Sequence, residues 1–251
     1  MELLDILNTK DPVAILRHLD QNGQLAEIFP ELVALKASGA NHKDNFEHTL
    51  GVLQNVIDAG GNDGMRLVAL FHDLGKASTK KFIDGKWTFH MHEEVSAHML
   101  QELYDRFHIP SVLRMYVTVI VSLHGRPKSV ADDGVSDSAV RRLSKDAYQY
   151  FDDLIKFAKC DMTTKNFAKR KQYTDAFNDL QTRKIRIDLE DEEAKWRPPI
   201  TGHDIMALGI KGRNVALAKD DVIAKIKSGA LQEDRDACLA YLDANKNLWT
   251  N

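Results

Sequence analysis

The sequence predicts an all-α fold, and three observations carry that expectation. Apolar residues recur three and four apart in "VAILRHL", "FEHTLGVLQNVI", "EEVSAHMLQELYDRF" and "VLRMYVTVIVSL", which is the period of an amphipathic helix. Only "KKFIDGKWTFHMH" breaks the pattern, with short β-prone runs around Asp84-Gly85 that suit a small hairpin or an irregular loop insertion. Hydrophobic residues make up 43% of the 251 and charged residues 28%, the balance of a soluble globular chain long enough to bury a sizeable core without staples.

Taken in order, residues 1–40 read as an N-terminal helical segment and residues 41–197 as the main helical domain. Within that domain "SDSAVRRLSKDAYQYFDDLIKFAKCD" predicts one long helix, capped near Ser136 or Asp137. Its apolar stripe takes Val140, Leu143, Ala147, Tyr150, Leu154 and Phe157, and Asp161 is the next position on that stripe. The charge-rich "DLEDEEAKWRPP" reads as a linker ending in Pro198-Pro199, after which "TGHDIMALGI" opens a C-terminal helical arm, residues 198–251. There is no internal repeat and no low-complexity segment.

Several classes of function are disfavoured at once. No apolar run approaches the ~20 residues of a bilayer-spanning helix, and the start "MELLDILNTKDPV" lacks the basic end and apolar stretch of a secretory signal. A cytoplasmic protein without a membrane partner is expected. Cys160 and Cys238 read as buried thiols, since two cysteines make neither a disulfide scaffold nor a metal cluster by themselves. A net charge of −3 argues against tight non-specific nucleic-acid binding by the whole surface, though a local basic patch stays open. The run "KNFAKRKQY" reads equally as such a patch and as a solvated helix face.

Histidine is the informative residue. Among the ten, His72, His90, His92, His98 and His124 fall within about fifty positions. In "LVALFHDLGKAST" an almost wholly apolar helix runs straight into His72-Asp73, and an acid so placed needs a cation or a strong hydrogen-bond set. Asp161 has the same need. His92 shares a helix face with Val95 and Met99, His124 with Val117 and Ile120, and His48 opens a further amphipathic helix. Any one of these histidines taken alone is more often a hydrogen-bonded structural residue. Together His48, His72, Asp73, His92, His124 and Asp161 describe a nitrogen-and-oxygen site without sulfur, suited to one or two divalent ions among Mn, Fe, Co, Ni and Zn. His98 lies about 240° around the helix from His92 and, with His90 and His42, reads as a non-ligand. Lys76 falls on the turn after Asp73 and faces the same way, which marks it, beside Asp73, as a catalytic candidate for stabilising developing negative charge. Arg126 and Lys128 in "HGRPK" are candidates for substrate binding, and a solvated lysine is the plain alternative for Lys76.

The ordered set resembles the HD superfamily of metal-dependent phosphohydrolases: His48 in "FEHTL", the doublet in "HDLGK", His92 in "HMHEE", His124 ending "VIVSLHG" and Asp161 in "KCDMT". The resemblance implies an HD-domain helical bundle in which His48, His72, Asp73 and Asp161 hold one ion, while additional histidines such as His92 and His124 go with a second. Mg joins the list of ions on the same ground. A closer resemblance is to the carboxy-terminal half of bacterial tRNA CCA-adding nucleotidyltransferases, through "DPVAILRHLDQNGQLAEIFPEL", "FEHTL", "LVALFHDLGK" and "ITGHDIMALGIKG" in the same order. No glycine-rich turn followed by a strand with paired acids precedes His48. CCA addition is therefore not expected of this chain, whereas the hydrolytic chemistry is.

What the resemblance implies is a phosphohydrolase of the phosphatase, 2′-nucleotidase or 2′,3′-cyclic phosphodiesterase kind, acting on a phosphorylated small molecule, a nucleotide or an RNA end. Two alternatives belong to other classes: an HD-scaffold di-iron oxygenase, and a non-catalytic tRNA- or RNA-binding module. The sequence carries no signal for oligomeric state.

Overall fold

The computed structural model describes residues 2–39, 44–132 and 134–250, so His42 lies outside the described residues. Helices α1 (Leu3–Leu7), α2 (Pro12–Gln21), α3 (Gln24–Ile28) and α4 (Pro30–Ser38) open the chain. They are followed by α5 (Asn45–Asp58), α6 (Asp63–Phe71) and the short α7 (Lys76–Thr79). Strands β1 (Lys81–Ile83) and β2 (Lys86–Thr88) form the hairpin, pairing antiparallel with Phe82 opposite Trp87. Its two-residue turn places both Asp84 (φ 49°) and Gly85 (φ 75°) at positive φ, the backbone of a tight hairpin turn that Asp-Gly favours. Then come α8 (His92–Arg106), α9 (Ser111–Leu123), α10 (Arg126–Asp132), α11 (Asp137–Ala147), α12 (Phe151–Cys160) and α13 (Phe167–Lys195). Helices α14 (Gly202–Ala207), α15 (Asn214–Lys227) and α16 (Arg235–Ala244) close it. Among the described residues no helix is long and apolar enough to cross a membrane.

Two elements differ from the sequence reading. The long helix expected from Ser136 to Asp161 is broken. Ser136 does cap its start by accepting from the Ala139 amide, but Tyr148 sits at φ 52° and ψ −135° and a turn of 3-10 helix separates α11 from α12. The apolar stripe survives the break, with Val140, Leu143, Ala147, Leu154 and Phe157 all buried, so the kink re-aims α12 without exposing its face. The second difference is "DLEDEEAK", read as a linker, which is the last part of the 29-residue α13. Its acids and Lys195 include i,i+3 partners such as Lys195 and Glu192 at 2.9 Å, and a strongly charged run without Gly or Pro propagates a helix readily.

The chain divides into two compact units, Met1–Asp188 and Leu189–Asn251. In the first, Leu7, Leu16 and Leu32 of the N-terminal helices belong to the same core cluster as Leu50, Leu70, Val117 and Phe157. The second unit has its own small core, built on Ile200, Ile205, Ile210, Val222, Leu242 and Trp249.

Helix α6 is the axis of the first unit. Asn62 caps it by accepting from the Met65 amide, and Gly64, Met65 and residues 67–71 are all buried. It packs against α5 on one side and α9 on the other. Its single arginine, Arg66, reaches out to the carbonyls of Leu7 at 2.6 Å and Gly61 at 3.2 Å, so the charge is met without interrupting the apolar faces.

Candidate metal centre

Five segments converge where α6 ends. His72 is the C-terminal cap of α6, and His124 occupies the same place on α9. Each points its Nδ1 back at a carbonyl three residues earlier in its own helix: His72 to Ala69 at 3.0 Å and His124 to Val121 at 2.8 Å. His92, the first residue of α8, does the same to Phe89 at 2.9 Å, and His48 on α5 meets the Thr163 hydroxyl with its Nδ1 at 2.9 Å. A carbonyl can only accept, so Nδ1 carries the proton in the three carbonyl-bonded rings. In the neutral ring Nε2 is then a lone pair, the form in which histidine ligates.

The four Nε2 atoms gather around two carboxylates, and Asp73 lies between them. Its Oδ2 is 3.4 Å from His48 Nε2 and 3.2 Å from His72 Nε2, while its Oδ1 is 3.3 Å from His92 Nε2 and 3.6 Å from His124 Nε2. Asp161 Oδ1 completes the first group at 3.0 Å from His48 and 3.5 Å from His72. The two histidines of the second group are 3.3 Å apart through Nε2. One carboxylate thus offers a different oxygen to each of two histidine pairs.

The residues fit a divalent ion on an observation independent of spacing. His72 Nε2, Asp73 Oδ1 and Asp161 Oδ1 are buried and make no aligned hydrogen bond, although His72 and Asp161 stand within 3.5 Å of each other. Buried polar atoms are rarely left so. A divalent ion among them would satisfy all three atoms at once. Groups of side chains able to hold a metal include His48, His72 and Asp161, then His72, Asp73 and His124, then His92, Glu93 and His124.

Electrostatics inside the cluster are strong. Burial alone would push the His72 imidazole down, but Asp73 and Asp161 together outweigh it and raise it to about 10. Burial likewise opposes charge on Asp73, yet His72 and Lys76 with the other histidines hold its carboxyl well below the usual range. Asp161 is held down in the same way by His48 and His72 against its burial. In the metal-free protein at pH 8 His72 therefore keeps a proton on Nε2 that an ion must displace. Metal binding is expected to release protons at pH 8, and the apparent affinity to rise with pH until His72 titrates near 10. Calorimetry in buffers of different ionisation enthalpy reads the proton count directly, and a count of zero would contradict this account.

Other sequence candidates fall in several places. Lys76 does face the centre, its Nζ 2.5 Å from Asp73 Oδ2. Arg126 and Lys128 are not brought into the set: Arg126 pairs with Asp146 at 2.5 Å, and the Lys128 ammonium stands 5.7 Å from the Tyr173 ring. His90 and His98 are exposed. Three contributors escaped the sequence reading. Thr163 orients His48, and its only signal was its place two residues after Asp161. Glu93, beside His92, brings Oε2 to 3.1 Å from that ring, and a Cβ on Gly125 would stand 2.5 Å from its Oε1. Gly75, inside "HDLGK", would with a Cβ come within 2.3 Å of the His92 carbonyl oxygen and 2.9 Å of the Ser96 amide. Its lack of a side chain is what lets the start of α8 lie against the turn after Asp73.

Comparison with known proteins agrees with this geometry. The HD domain family model matches residues 45–157, a span that contains every residue of the cluster except Asp161 and Thr163. The multifunctional CCA protein of Thioalkalivibrio sulfidiphilus is 32% identical over 129 residues, 49% of this chain and 31% of that protein. The multifunctional CCA protein of Methylococcus capsulatus is 33% identical over 120 residues, 45% of this chain and 28% of that one. That of Burkholderia pseudomallei is 30% identical over 150 residues, 57% and 35% respectively. The chain spans about a third of the length of the curated relatives it matches. Residues 45–157, where the histidines and Asp73 of the cluster converge, are thus similar to the HD domain family, and the chain is similar to a segment of the multifunctional CCA proteins.

Proposed function

We propose that this protein is a phosphohydrolase that uses two divalent ions, of the phosphatase, 2′-nucleotidase or 2′,3′-cyclic phosphodiesterase kind, acting on nucleotides or RNA ends. The observation that carries the proposal is the position of Asp73, with one oxygen toward His48 and His72 and the other toward His92 and His124. Divalent ions held there would supply a water whose pKa is lowered to about 7 and a Lewis acid for a phosphoryl oxygen. Ni, Co, Zn and Fe suit the four imidazoles and Mn the two carboxylates, while Mg, which demands oxygen donors in near-ideal octahedral geometry, suits the set least.

The chain's own residues do the rest. His48, His72 and Asp161 would hold one ion and His92 and His124 another, with Asp73 placed to serve both. Thr163 and the helix-end carbonyls keep each Nε2 turned inward. Lys76 is ion-paired with Asp73 yet still part-exposed, so its ammonium can also donate to a phosphate oxygen as charge develops there. Lys76→Ala is expected to lower turnover about a hundredfold, the usual effect of losing one such donor, with metal content unchanged. A fall in bound metal instead would show that Lys76 serves the ligand Asp73 and not the substrate.

The direct test strips the protein of metal and adds back Mn, Co, Ni, Zn, Fe and Mg against a panel of nucleoside monophosphates, 2′,3′-cyclic nucleotides and simple phosphate esters. Phosphate release restored by Mn, Co or Ni and indifferent to oxygen is the expected result. Activity appearing only with Fe and oxygen would replace the hydrolase by a di-iron oxygenase. RNA binding with no turnover under any ion would leave a recognition module.

A further inference from the structure

Directly after Asp161 the chain runs through Met162, Thr163, Thr164 and Lys165 without regular structure before α13 starts at Phe167. This segment, with Gly51 and Asn55 on α5 and with Phe167 and Arg170 on α13, lines an open surface cavity of about 340 Å³. The volume is in the range of small-molecule sites, ~300–1,000 Å³.

The cavity neighbours the centre through Thr163, which lines it and bonds the His48 ring, and through Met162, which follows Asp161 in the chain. His48 and Asp161 are the most exposed members of the cluster, at 21% and 30%, whereas His72, Asp73 and His124 are buried.

The wall has a definite chemistry. No carboxylate lines it, and its two cations, Lys165 and Arg170, make no ion pair among the described residues. The ring of Phe167 is 81% exposed, an apolar surface that folding does not account for, and it lies three residues from Arg170 on the same side of α13. Asn55 is already committed to the Cys160 carbonyl at 2.7 Å and Thr163 to His48, so recognition falls to the cations and the ring.

We propose that this cavity is the nucleoside subsite of the centre, in which Phe167 stacks on the base of one mononucleotide while Arg170 and Lys165 donate hydrogen bonds to its ribose hydroxyls and ring nitrogens. It rests on the phosphohydrolase reading only for what happens to the phosphoryl group held at the ions. An aromatic face and two free cations beside a phosphoryl-binding centre select a nucleotide over a sugar phosphate or a phosphorylated serine or threonine, which offer no flat π surface. The volume accommodates one nucleoside and not a strand. This also gives "KNFAKRKQY" a use that its place on a solvated helix face leaves open.

The test is equilibrium binding of adenosine monophosphate and, separately, inorganic phosphate to the full-length Mn-loaded protein, with Phe167→Ala and Arg170→Gln as variants. Adenosine monophosphate is expected to bind at least about tenfold more tightly than phosphate, and each variant to lower that ratio about tenfold, the effect of losing one base stack or one charged contact. Circular dichroism and metal content serve as controls for fold and centre. Equal binding of the two probes by the unsubstituted protein would overturn the proposal, and so would variants that weaken both probes alike or neither. Phe167-dependent nucleotide binding without phosphate release would keep the subsite and remove the hydrolase.

Discussion

Asp73→Asn is expected to abolish metal-dependent turnover and to lower bound metal to one ion per chain or fewer. The amide keeps the volume but withdraws the one negative charge that both histidine pairs share, and an amide oxygen is a far weaker ligand than a carboxylate. Losses well beyond the ten- to hundredfold typical of residues that merely orient ligands are expected. The metal-free protein should weaken too. Lys76 Nζ lies 2.5 Å from Asp73 Oδ2, and His72 is fully buried beside it, so neutralising the carboxylate leaves positive charge uncompensated, at a cost of about 3–5 kcal/mol. The histidine contribution has a sign. His72 is raised to about 10, so its pairing stabilises the metal-free fold below its ordinary pKa and through neutral pH, and that gain fades as pH rises through 10. Elemental analysis beside thermal melts at two pH values reads both effects, and two ions retained by Asp73→Asn would remove Asp73 from the centre.

The second large effect is expected at a residue with no side chain. Gly75→Ala would drive a Cβ to 2.3 Å from the His92 carbonyl oxygen and 2.9 Å from the Ser96 amide, both backbone atoms that cannot rotate away. The Gly75 amide also donates to the Ser96 hydroxyl at 2.9 Å. The start of α8 must therefore move outward and take His92 with it. A destabilisation of about 1–3 kcal/mol or more is the usual cost of such overpacking. The more telling readout is stoichiometry: the ion between His92 and His124 should be lost while the one between His48, His72 and Asp161 stays. Gly85→Ala in the hairpin turn, where a Cβ meets nothing within 4 Å, is the control for backbone strain alone. Wild-type stoichiometry in Gly75→Ala would show that the close approach does not position His92.

How much of this was legible beforehand follows from the kind of signal each residue leaves. His72 and Asp73 end a helix whose faces are nearly all apolar, and Asp161 continues an apolar stripe, so their burial could be read from period alone. The structure brings both to the same point as His48, His92 and His124. Arg126 and Lys128 show the limit. Proximity to His124 along the chain suggested a role near the centre, but a cation takes the partner that the fold supplies, here Asp146 and Tyr173. The break at Tyr148 was hidden for a related reason: the apolar stripe continues through it, and periodicity does not register a local positive φ. The run "DLEDEEAK" misled by composition, since its charge looks like a linker while its residue types are good helix formers.

The sequence by itself determined the class of fold, through helical periodicity, and the identity of the metal-competent side chains, through the placing of ionisable residues on faces that must be buried. Both are local properties, set by which residues stand three, four and seven apart. Only the tertiary structure decided that Asp73 turns one oxygen to each histidine pair, that Gly75 admits α8 to the centre, and that Thr163 and Glu93 lie beside it. These depend on how segments more than a hundred residues apart pack against one another, as His48 and Thr163 do, and no spacing along one helix encodes the distance to another.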